Sequence, residues 1–278
     1  MAELPTLKET VEKYQLLAKK SLGQNFLLDM NITGKIIRSS LNAQKKESFA
    51  GDSVYEIGPG PGGLTRAILQ ANPDVLTVIE MDERCIKIMN DIKEIVGNKL
   101  EIITGDALRF DFCKNEDKKV QIISNLPYNI SVPLLTGWLK NMQYFSALTL
   151  MFQKEVADRI SAPTGNKSYG RISVLSQLVC NVERLFDLNP NCFVPAPKIW
   201  SSVLLFTPKT EKISKVDLNK VEKITALAFS QRRKMIRQSL KSLPDLDKLC
   251  AAAGVEMTAR AENITPEQYL LLAQNAAI

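Results

Sequence analysis

The segment Tyr55 to Thr65, YEIGPGPGGLT, places four glycines between an apolar segment and a segment with helical character. Gly58, Gly60 and Gly63 have the spacing G-x-G-x-x-G. This spacing is typical of a tight strand-to-helix turn at which the backbone can approach a nucleotide cofactor, although a glycine-rich turn without a ligand has the same appearance. The segment therefore predicts the first strand, turn and helix of an α/β domain.

Apolar segments of strand length recur along the chain. They lie at 52–57, 75–80, 99–104, 120–124, 146–152, about 180–186 and 200–207. Helical patterns separate most of them, at 64–71, 83–95, 131–141 and 154–161. Strands that alternate with helices form mainly parallel sheets covered by helices. We therefore predict an α/β fold of Rossmann-like type, with a mainly parallel seven-stranded sheet and helices on both faces.

The two ends of the chain are predicted to be helical. Thr6 and Glu9 have the spacing of a capping box, so a helix is expected from there to about Lys20, and a further helix precedes the first strand. No strand pattern follows Pro208, and residues 217–278 look wholly helical. We therefore predict two domains, a cofactor-binding domain at 1–208 and a small helical domain at 209–278.

The composition indicates where the protein is located and which kinds of catalysis it can perform. The chain has 278 residues, of which 45% are hydrophobic, but no apolar run approaches the roughly 18 residues of a membrane span. Acidic residues near the start, Glu3, Glu9 and Glu12, argue against a targeting peptide, so a cytoplasmic protein is expected. Five cysteines without a CxxC pair predict neither a disulfide framework nor a zinc site, and no metal is expected. The absence of histidine excludes Ser-His and Cys-His nucleophiles.

Positive charge is concentrated towards the C-terminus. The net charge is +6, and from Lys209 onward twelve Lys or Arg residues face eight Asp or Glu residues. On a single helix starting at Phe229, residues Phe229, Ile236, Leu240 and Leu243 would form an apolar stripe and leave a cationic flank outside. A solvated amphipathic helix is the alternative, but we predict that this flank contacts RNA phosphates, with Lys19 and Lys20 as an extension. The predicted RNA-binding residues are Arg232, Arg233, Lys234, Arg237 and Lys241.

Sites for S-adenosylmethionine (SAM) and for NAD both use a strand, a glycine turn and a helix. The residues around the glycine turn favour SAM. Glu56 precedes the first glycine by two residues, and Pro59 is unfavourable at a helix N-terminus that must bind pyrophosphate. Glu80, at the end of the second strand, is placed to hold ribose hydroxyls. Asp106 follows the third strand, where a carboxylate can accept a hydrogen bond from an adenine amine. A nicotinamide dehydrogenase remains the alternative.

The motif Asn125-Leu126-Pro127-Tyr128 stands where the fourth strand ends, at the sheet edge that binds ligands in open α/β folds. An exocyclic adenine amine is a poor nucleophile, and the Asn125 side-chain oxygen and the Leu126 carbonyl could accept hydrogen bonds from it. Pro127 stiffens the turn, and Tyr128 offers a face for stacking. SAM carries an activated methyl group, so positioning can replace a strong base. A strand-ending turn with a buried tyrosine is the alternative, but because the motif follows a SAM-type glycine turn we predict methyl transfer to adenine.

Seven segments in order resemble the KsgA-type ribosomal RNA adenine-N6 dimethyltransferases. They are KKSLGQNFLLD (19–29), EIGPGPGGLT (56–65), GDAL (105–108), NLPY (125–128), YGRISVLSQ (169–177), FVPAPK (193–198) and FSQRRK (229–234). The resemblance covers nearly the whole chain. It implies a SAM-dependent enzyme that dimethylates two adjacent adenosines in a hairpin near the 3′ end of small-subunit (16S) rRNA during subunit biogenesis, with rRNA or the immature 30S subunit as partner. A monomer without a membrane partner is expected.

The resemblance also assigns roles to individual residues. It implies catalytic roles for Asn125, Leu126, Pro127 and Tyr128, and it makes Phe193 the second ring that encloses the target base. The residues expected to bind SAM are Gln24, Asn25, Leu27, Gly58, Gly60, Glu80, Asp106 and Asn125.

Two other functions compatible with this fold remain open. A resistance-type adenine-N6 methyltransferase would act on large-subunit rRNA with the same chemistry. A ribosome-assembly factor could keep the fold without turning over SAM, although the presence of Glu80, Asp106 and Asn125 argues against it.

Overall fold

The computed structural model describes residues 4–16, 24–112, 119–209 and 217–277. The chain divides into two compact units. The first comprises Met1–Leu135, Tyr144–Lys154 and Arg184–Phe206, and the second comprises Thr136–Gln143, Glu155–Glu183 and Thr207–Ile278. This division differs from the boundary at residue 208 predicted from the sequence, because two internal segments belong with the C-terminal helices. Domains at 1–208 and 209–278 remain a prediction.

Seven strands form the main sheet, in the order β4-β3-β2-β5-β6-β9-β7. Strands β2 to β6 are parallel to their neighbours, and β9 runs antiparallel to β6. Their bounds are Ser53–Ile57 (β2), Val75–Glu80 (β3), Leu100–Thr104 (β4), Val120–Ser124 (β5), Phe145–Gln153 (β6), Cys180–Leu188 (β7) and Ser201–Pro208 (β9). Each of the seven strands predicted from the sequence is therefore present, within two residues at either end.

Two further strands escaped the sequence analysis. Phe26–Leu27 (β1) and Phe193–Val194 (β8) form an antiparallel pair of two residues each. Phe26 lies opposite Val194, and Leu27 lies opposite Phe193. Strands this short carry no readable alternation of apolar and polar residues.

The strand order fixes where a ligand can bind. From β2 the chain continues outward through β3 and β4, whereas β5 returns to the other side of β2 and leads to β6. Right-handed crossovers that run in opposite directions place their helices on opposite faces of the sheet. The loops that leave β2 and β5 therefore diverge and open a crevice at the carboxyl ends of these two strands.

The first unit buries a continuous apolar core around the parallel strands. All five residues of β5 are buried, as expected for a central strand covered on both faces. Val54, Ile68 and Leu76 are among the fully buried side chains, and each has 0% relative exposure. This core holds the ends of β2 and β5 in fixed positions.

The helices mostly begin where their sequence signals predict. Thr6 forms the expected capping box with Glu9, but the first helix ends at Lys13 and does not continue to Lys20. The reason is local, because Gln15 has a left-handed φ of 46°. Lys19 and Lys20 lie outside the described residues. The helices are Leu7–Lys13 (α1), Met30–Ala43 (α2), Gly63–Gln70 (α3), Glu83–Val96 (α4), Tyr128–Lys140 (α5), Lys154–Ile160 (α6), Arg171–Val179 (α7), Leu218–Ser230 (α8), Ile236–Ser239 (α9), Leu246–Ala253 (α10) and Pro266–Asn275 (α11).

The second unit is mostly helical, but one prediction within it is wrong. The single helix expected from Phe229 onward does not form, because α8 ends at Ser230 and Gln231 leaves helical geometry with φ −125° and ψ 54°. A turn leads to the four-residue helix α9. The apolar residues of the expected stripe are nevertheless largely buried, with Ile236 and Leu240 at 0% exposure.

Two further expectations concern cysteines and membranes. Cys85, Cys180, Cys192 and Cys250 are free thiols, and Cys113 lies outside the described residues. In the described ranges, no helix is long and apolar enough to cross a membrane.

Candidate active site

A cavity of about 290 Å³ lies at the carboxyl ends of β2 and β5. It is the crevice that the strand order predicts. Its lining brings together most of the residues singled out from the sequence. These are Gln24, Asn25, Leu27, Gly58, Gly60, Glu80, Asp106, Asn125, Leu126, Pro127 and Tyr128.

The glycine turn closes tightly around one side of this cavity. Gly58 and Gly60 have left-handed φ values of 65° and 55°, which disfavour any residue with a side chain. Space is restricted as well, because a Cβ on Gly63 would come within 2.3 Å of the Leu27 main-chain oxygen. The turn therefore packs directly against β1, and both line the cavity.

Arg66 supports the glycine turn from behind. Its Nη1 donates to the main-chain oxygens of Pro61 and Gly62, both at 3.0 Å. Its Nη2 donates to the Pro5 main-chain oxygen at 3.2 Å and to the Thr10 hydroxyl at 3.1 Å. The side chain is buried, and burial lowers the pKa of the guanidinium. Arg66 thus joins the glycine turn to the N-terminal helix α1.

Glu80 is held by main-chain donors at the end of β3. Its Oε1 accepts hydrogen bonds from the backbone N–H groups of Met81, at 2.7 Å, and Asp82, at 2.8 Å. Its Oε2 is 3.5 Å from the backbone nitrogen of Gly60. Burial raises the pKa of this carboxyl, while these three donors act in the opposite direction. The carboxylate is thereby fixed in one orientation at the cavity wall.

Two other polar residues complete this side. Asp106 accepts a hydrogen bond from the Leu108 backbone at 2.9 Å, so its position is set by the turn after β4. Gln24 donates to Asp82 at 3.1 Å. A hydrogen bond from the Arg84 side chain lowers the pKa of Asp82 to about 2, so Asp82 stays ionised at neutral pH and anchors Gln24.

Asn125 stands where β5 ends, and its amide has a defined orientation. The Nδ2 group donates to the main-chain oxygen of Asn25 at 3.0 Å. Because a carbonyl oxygen can only accept, the amide nitrogen must face it, which leaves Oδ1 as the acceptor for a ligand. Ser124, the preceding residue, donates to the Ile57 main-chain oxygen at 2.7 Å and ties the end of β5 to the end of β2.

Tyr128 opens helix α5 and is fixed by its hydroxyl group. The phenol oxygen lies 2.7 Å from the hydroxyl of Ser201, the first residue of β9. Burial raises the pKa of the phenol, so it is neutral in the physiological range. The hydrogen bond leaves the ring as the part of Tyr128 available to a ligand.

Phe193 is not among the described residues that line the cavity. It is 2% exposed and belongs to the apolar core that also contains Leu27. The second ring expected from the resemblance is therefore packed inside the protein. Its role in stacking remains a prediction.

Several lining residues were not singled out as ligand contacts. Met81 and Leu108 line the cavity and are 60% and 48% exposed. Each follows closely on a strand-end acid, Glu80 or Asp106, and this position could have identified them. Glu56 also lines the cavity and is fully buried, which raises its pKa to about 8 although Thr65 donates to it at 2.7 Å.

The basic residues of the C-terminal segment fall into two groups. Arg232 is half-buried, and its Nε donates to Glu262 at 2.8 Å while its Nη2 donates to the Lys167 main-chain oxygen. The other four predicted RNA-binding residues are exposed: Arg233, Lys234, Arg237 and Lys241. Arg232 therefore has a structural task within the second unit, whereas the exposed four present their charge to solvent.

The sheet order and the glycine-turn cavity define a Rossmann-like α/β protein of the methyltransferase type. Residues 15–277 match the family described as "Ribosomal RNA adenine dimethylase". The chain belongs to this family.

Curated relatives and solved structures agree with this assignment. "Ribosomal RNA small subunit methyltransferase A" of Rhodospirillum rubrum is 46% identical over 271 residues, which cover 98% of this chain and 92% of that protein. The protein of the same name from Paramagnetospirillum magneticum is 45% identical over 99% of this chain and 95% of its own. The crystal structure of a dimethyladenosine transferase from Plasmodium falciparum aligns with a TM-score of 0.72 and 25% identity over 88% of this chain and 94% of that chain. The 23S rRNA methyltransferase ErmE aligns with a TM-score of 0.66 and 22% identity over 90% of this chain and 98% of its own, which shows a shared fold.

Proposed function

We propose that this protein transfers methyl groups from SAM to the N6 amines of two adjacent adenosines near the 3′ end of small-subunit rRNA, and that it dimethylates each. The substrate would be rRNA or the immature 30S subunit, and the protein would act as a cytoplasmic monomer. Membership of the family and the names of its relatives support this proposal. The observation that carries the chemistry is the orientation of Asn125, whose Oδ1 is left for a ligand.

The cavity wall fits the recognition of SAM. Glu80 presents a fixed carboxylate, the group that ribose hydroxyls bind, and Asp106 offers an acceptor for an adenine amine. Gly58 and Gly60 have the backbone conformation that permits a ligand close to the main chain. SAM, when bound, supplies an already activated methyl group.

The residues on the other side of the cavity fit an adenine base. The exocyclic amine of adenine is a hydrogen-bond donor, and Asn125 Oδ1 and the Leu126 carbonyl are acceptors at the end of one strand. Hydrogen bonds to these oxygens would hold the amine with its nitrogen directed at the methyl donor. Tyr128 would stack on the base, with its hydroxyl anchored by Ser201. Orientation of the amine, rather than its deprotonation, would then supply the rate enhancement.

Two rival functions differ from this proposal in substrate or in turnover. A methyltransferase of large-subunit rRNA would use the same chemistry, and the likeness to ErmE concerns the fold. A non-catalytic assembly factor would bind subunits without consuming SAM.

Mass spectrometry of rRNA nucleosides after incubation with SAM tests the proposal. We expect N6,N6-dimethyladenosine in the rRNA of small subunits that lack this modification, and none in large subunits treated identically. Methylation of large subunits alone would replace the proposed substrate with the rival one. Tight binding to small subunits without any methylated nucleoside would identify an assembly factor.

A further inference from the structure

The segment 194–200 exposes apolar side chains beside the candidate active site. Val194, Ile199 and Trp200 are 54%, 38% and 47% exposed. Within the described chain, the Trp200 indole has no aromatic or cationic partner. Lys198 is exposed in the same segment, and the sequence contains no acidic residue between Asp187 and Glu211. In the fold, the Asp187 carboxylate accepts a hydrogen bond from Ser202 at 2.7 Å and is paired with Lys154. A flat apolar ring with a nearby cation suits a nucleotide, which has both a π-face and a phosphate.

Both ends of this segment are attached to residues that line the cavity. At its start, Val194 pairs with Phe26 in the β1–β8 ladder, and Phe26 lines the cavity. At its end, Trp200 precedes Ser201, whose hydroxyl bonds to Tyr128.

The sheet topology places Trp200 at the correct edge. Ser201 pairs with Gln153, the last residue of β6, and β6 is parallel to β5. Because β9 is antiparallel to β6, its first residue lies at the carboxyl ends of the parallel strands. The main-chain oxygen of Trp200 accepts a hydrogen bond from the Lys154 backbone at 2.8 Å, which fixes the backbone there.

We propose that Trp200 stacks on an unpaired nucleotide next to the target adenosine, while Lys198 contacts a phosphate of the same RNA strand. This proposal rests on the proposed function, because it requires an RNA substrate whose target base enters the adjacent cavity. An adenosine that leaves its helical stack exposes the face of its neighbour. Trp200 would cover that face and position the RNA strand so that the target adenosine lies against Tyr128.

Kinetics with Trp200 variants test the ring. Because stacking on an aromatic ring contributes to the affinity for RNA, Trp200→Ala should raise the KM for small subunits by about tenfold. The dissociation constant for SAM should remain unchanged. Trp200→Phe should restore most of the lost affinity because it keeps a ring, whereas Trp200→Leu, which is apolar but not flat, should behave like Trp200→Ala. Ile199→Ala is the matched control, since it removes an exposed neighbour without removing a ring, and it should have a much smaller effect.

Intrinsic fluorescence gives a second readout that does not depend on catalysis. The chain has two tryptophans, and the other, Trp138, is only 4% exposed. Adding an RNA hairpin with the substrate sequence should quench the emission of the wild-type protein, and Trp200→Phe should remove that quenching.

The outcomes separate this proposal from the proposed function. Unchanged KM in Trp200→Ala, or equal loss in the Phe and Leu variants, would overturn stacking even if the wild type methylates small subunits. Absent quenching at hairpin concentrations at which filter binding shows the complex to be formed would also overturn it. Quenching by a wild-type protein that transfers no methyl group would support stacking and overturn the proposed function.

Discussion

The carboxyl edge of the sheet and the basic segment 229–241 differ in how firmly their polar side chains are held. At the sheet edge, Glu80, Asp106 and Asn125 are each fixed by at least one hydrogen bond to the main chain. In the basic segment, four of the five cations are exposed, and the fifth, Arg232, forms an ion pair with Glu262. The first region can therefore specify geometry, whereas the second supplies positive charge.

This difference implies that substitutions in the two regions should have different effects. At the sheet edge a single side-chain oxygen can decide how a bound ligand is oriented. The loss of one such side chain should therefore lower the reaction rate strongly. Exposed cations contribute similar and independent increments to RNA affinity, so single losses should be mild and salt-dependent. Four tests examine this contrast, from the largest expected effect to the smallest.

Asn125→Ala should lower the rate of methyl transfer by at least about a hundredfold, because no side-chain oxygen would remain to orient the adenine amine. RNA binding should be largely unchanged, since the predicted phosphate contacts lie on other residues. Single-turnover methylation assays and an RNA binding titration measure the two quantities. Asn275→Ala, which removes the same amide from helix α11, is the control and should keep full activity. A normally active Asn125→Ala would refute the assignment.

Arg66→Met should destabilise the protein by about 3 kcal/mol, because the buried carbonyls of Pro61 and Gly62 each lose a donor and the link to Pro5 is lost. SAM affinity should fall as well, since the glycine turn loses its support. Urea denaturation and calorimetric titration with SAM provide the measurements. Arg109→Met removes an arginine whose side chain is 88% exposed, and it should change the unfolding free energy by less than about 0.5 kcal/mol. Similar values for the two variants would contradict the role of Arg66.

Glu56→Gln should change how stability depends on pH. Burial raises the pKa of Glu56 from 4.5 to about 8. At pH values between these two, the carboxyl is protonated in the folded protein but ionised in the unfolded chain. This group therefore makes stability fall as pH rises through that window, by up to about 1.4 kcal/mol per pH unit.

The glutamine variant cannot ionise, so its stability should fall less steeply from pH 5 to pH 8 than that of the wild type. Denaturation at several pH values gives the difference between the two slopes. Parallel curves would show that Glu56 is ionised in the folded state.

Arg233→Gln should lower RNA affinity only a few-fold and reduce the slope of log affinity against log salt by about one. Arg232→Gln should instead reduce stability, because Arg232 bonds to Glu262 and to the Lys167 main chain. Filter binding over a range of salt concentrations and thermal unfolding distinguish the two effects. An equal loss of salt dependence in both variants would show that Arg232 also contacts phosphate.

The sequence predicted the sheet well because parallel strands buried on both faces form continuous apolar segments, as VQIIS at 120–124 shows. It failed where the decisive feature was local or very short. The 3.6-residue period from Phe229 to Leu243 identified a stripe that is largely buried, but it could not reveal that Gln231 breaks the helix. The prediction for the end of α1 failed similarly, because the left-handed backbone of Gln15 has no sequence signal.

The sequence predicted those residues of the candidate site that are polar and lie at or just after the end of an apolar strand. Glu80, Asp106 and Asn125 each stand at the end of an apolar strand, and parallel strands bring such positions to one edge. Contacts that depend on distant segments were not predictable. The hydrogen bond from Asn125 to Asn25 and the packing of Gly63 against Leu27 require a loop whose position follows from the tertiary fold.

The pairing of β1 with β8 has a consequence for biosynthesis. One wall of the cavity, formed by Phe26 and Leu27, is held by residues 193 and 194, which are translated much later. Contacts between segments so far apart in the chain form late, because closing the long intervening loop costs entropy. A nascent chain that already contains every glycine and carboxylate of the pocket would still have an open wall. We therefore expect this wall of the cavity to be complete only after the ribosome has passed Val194.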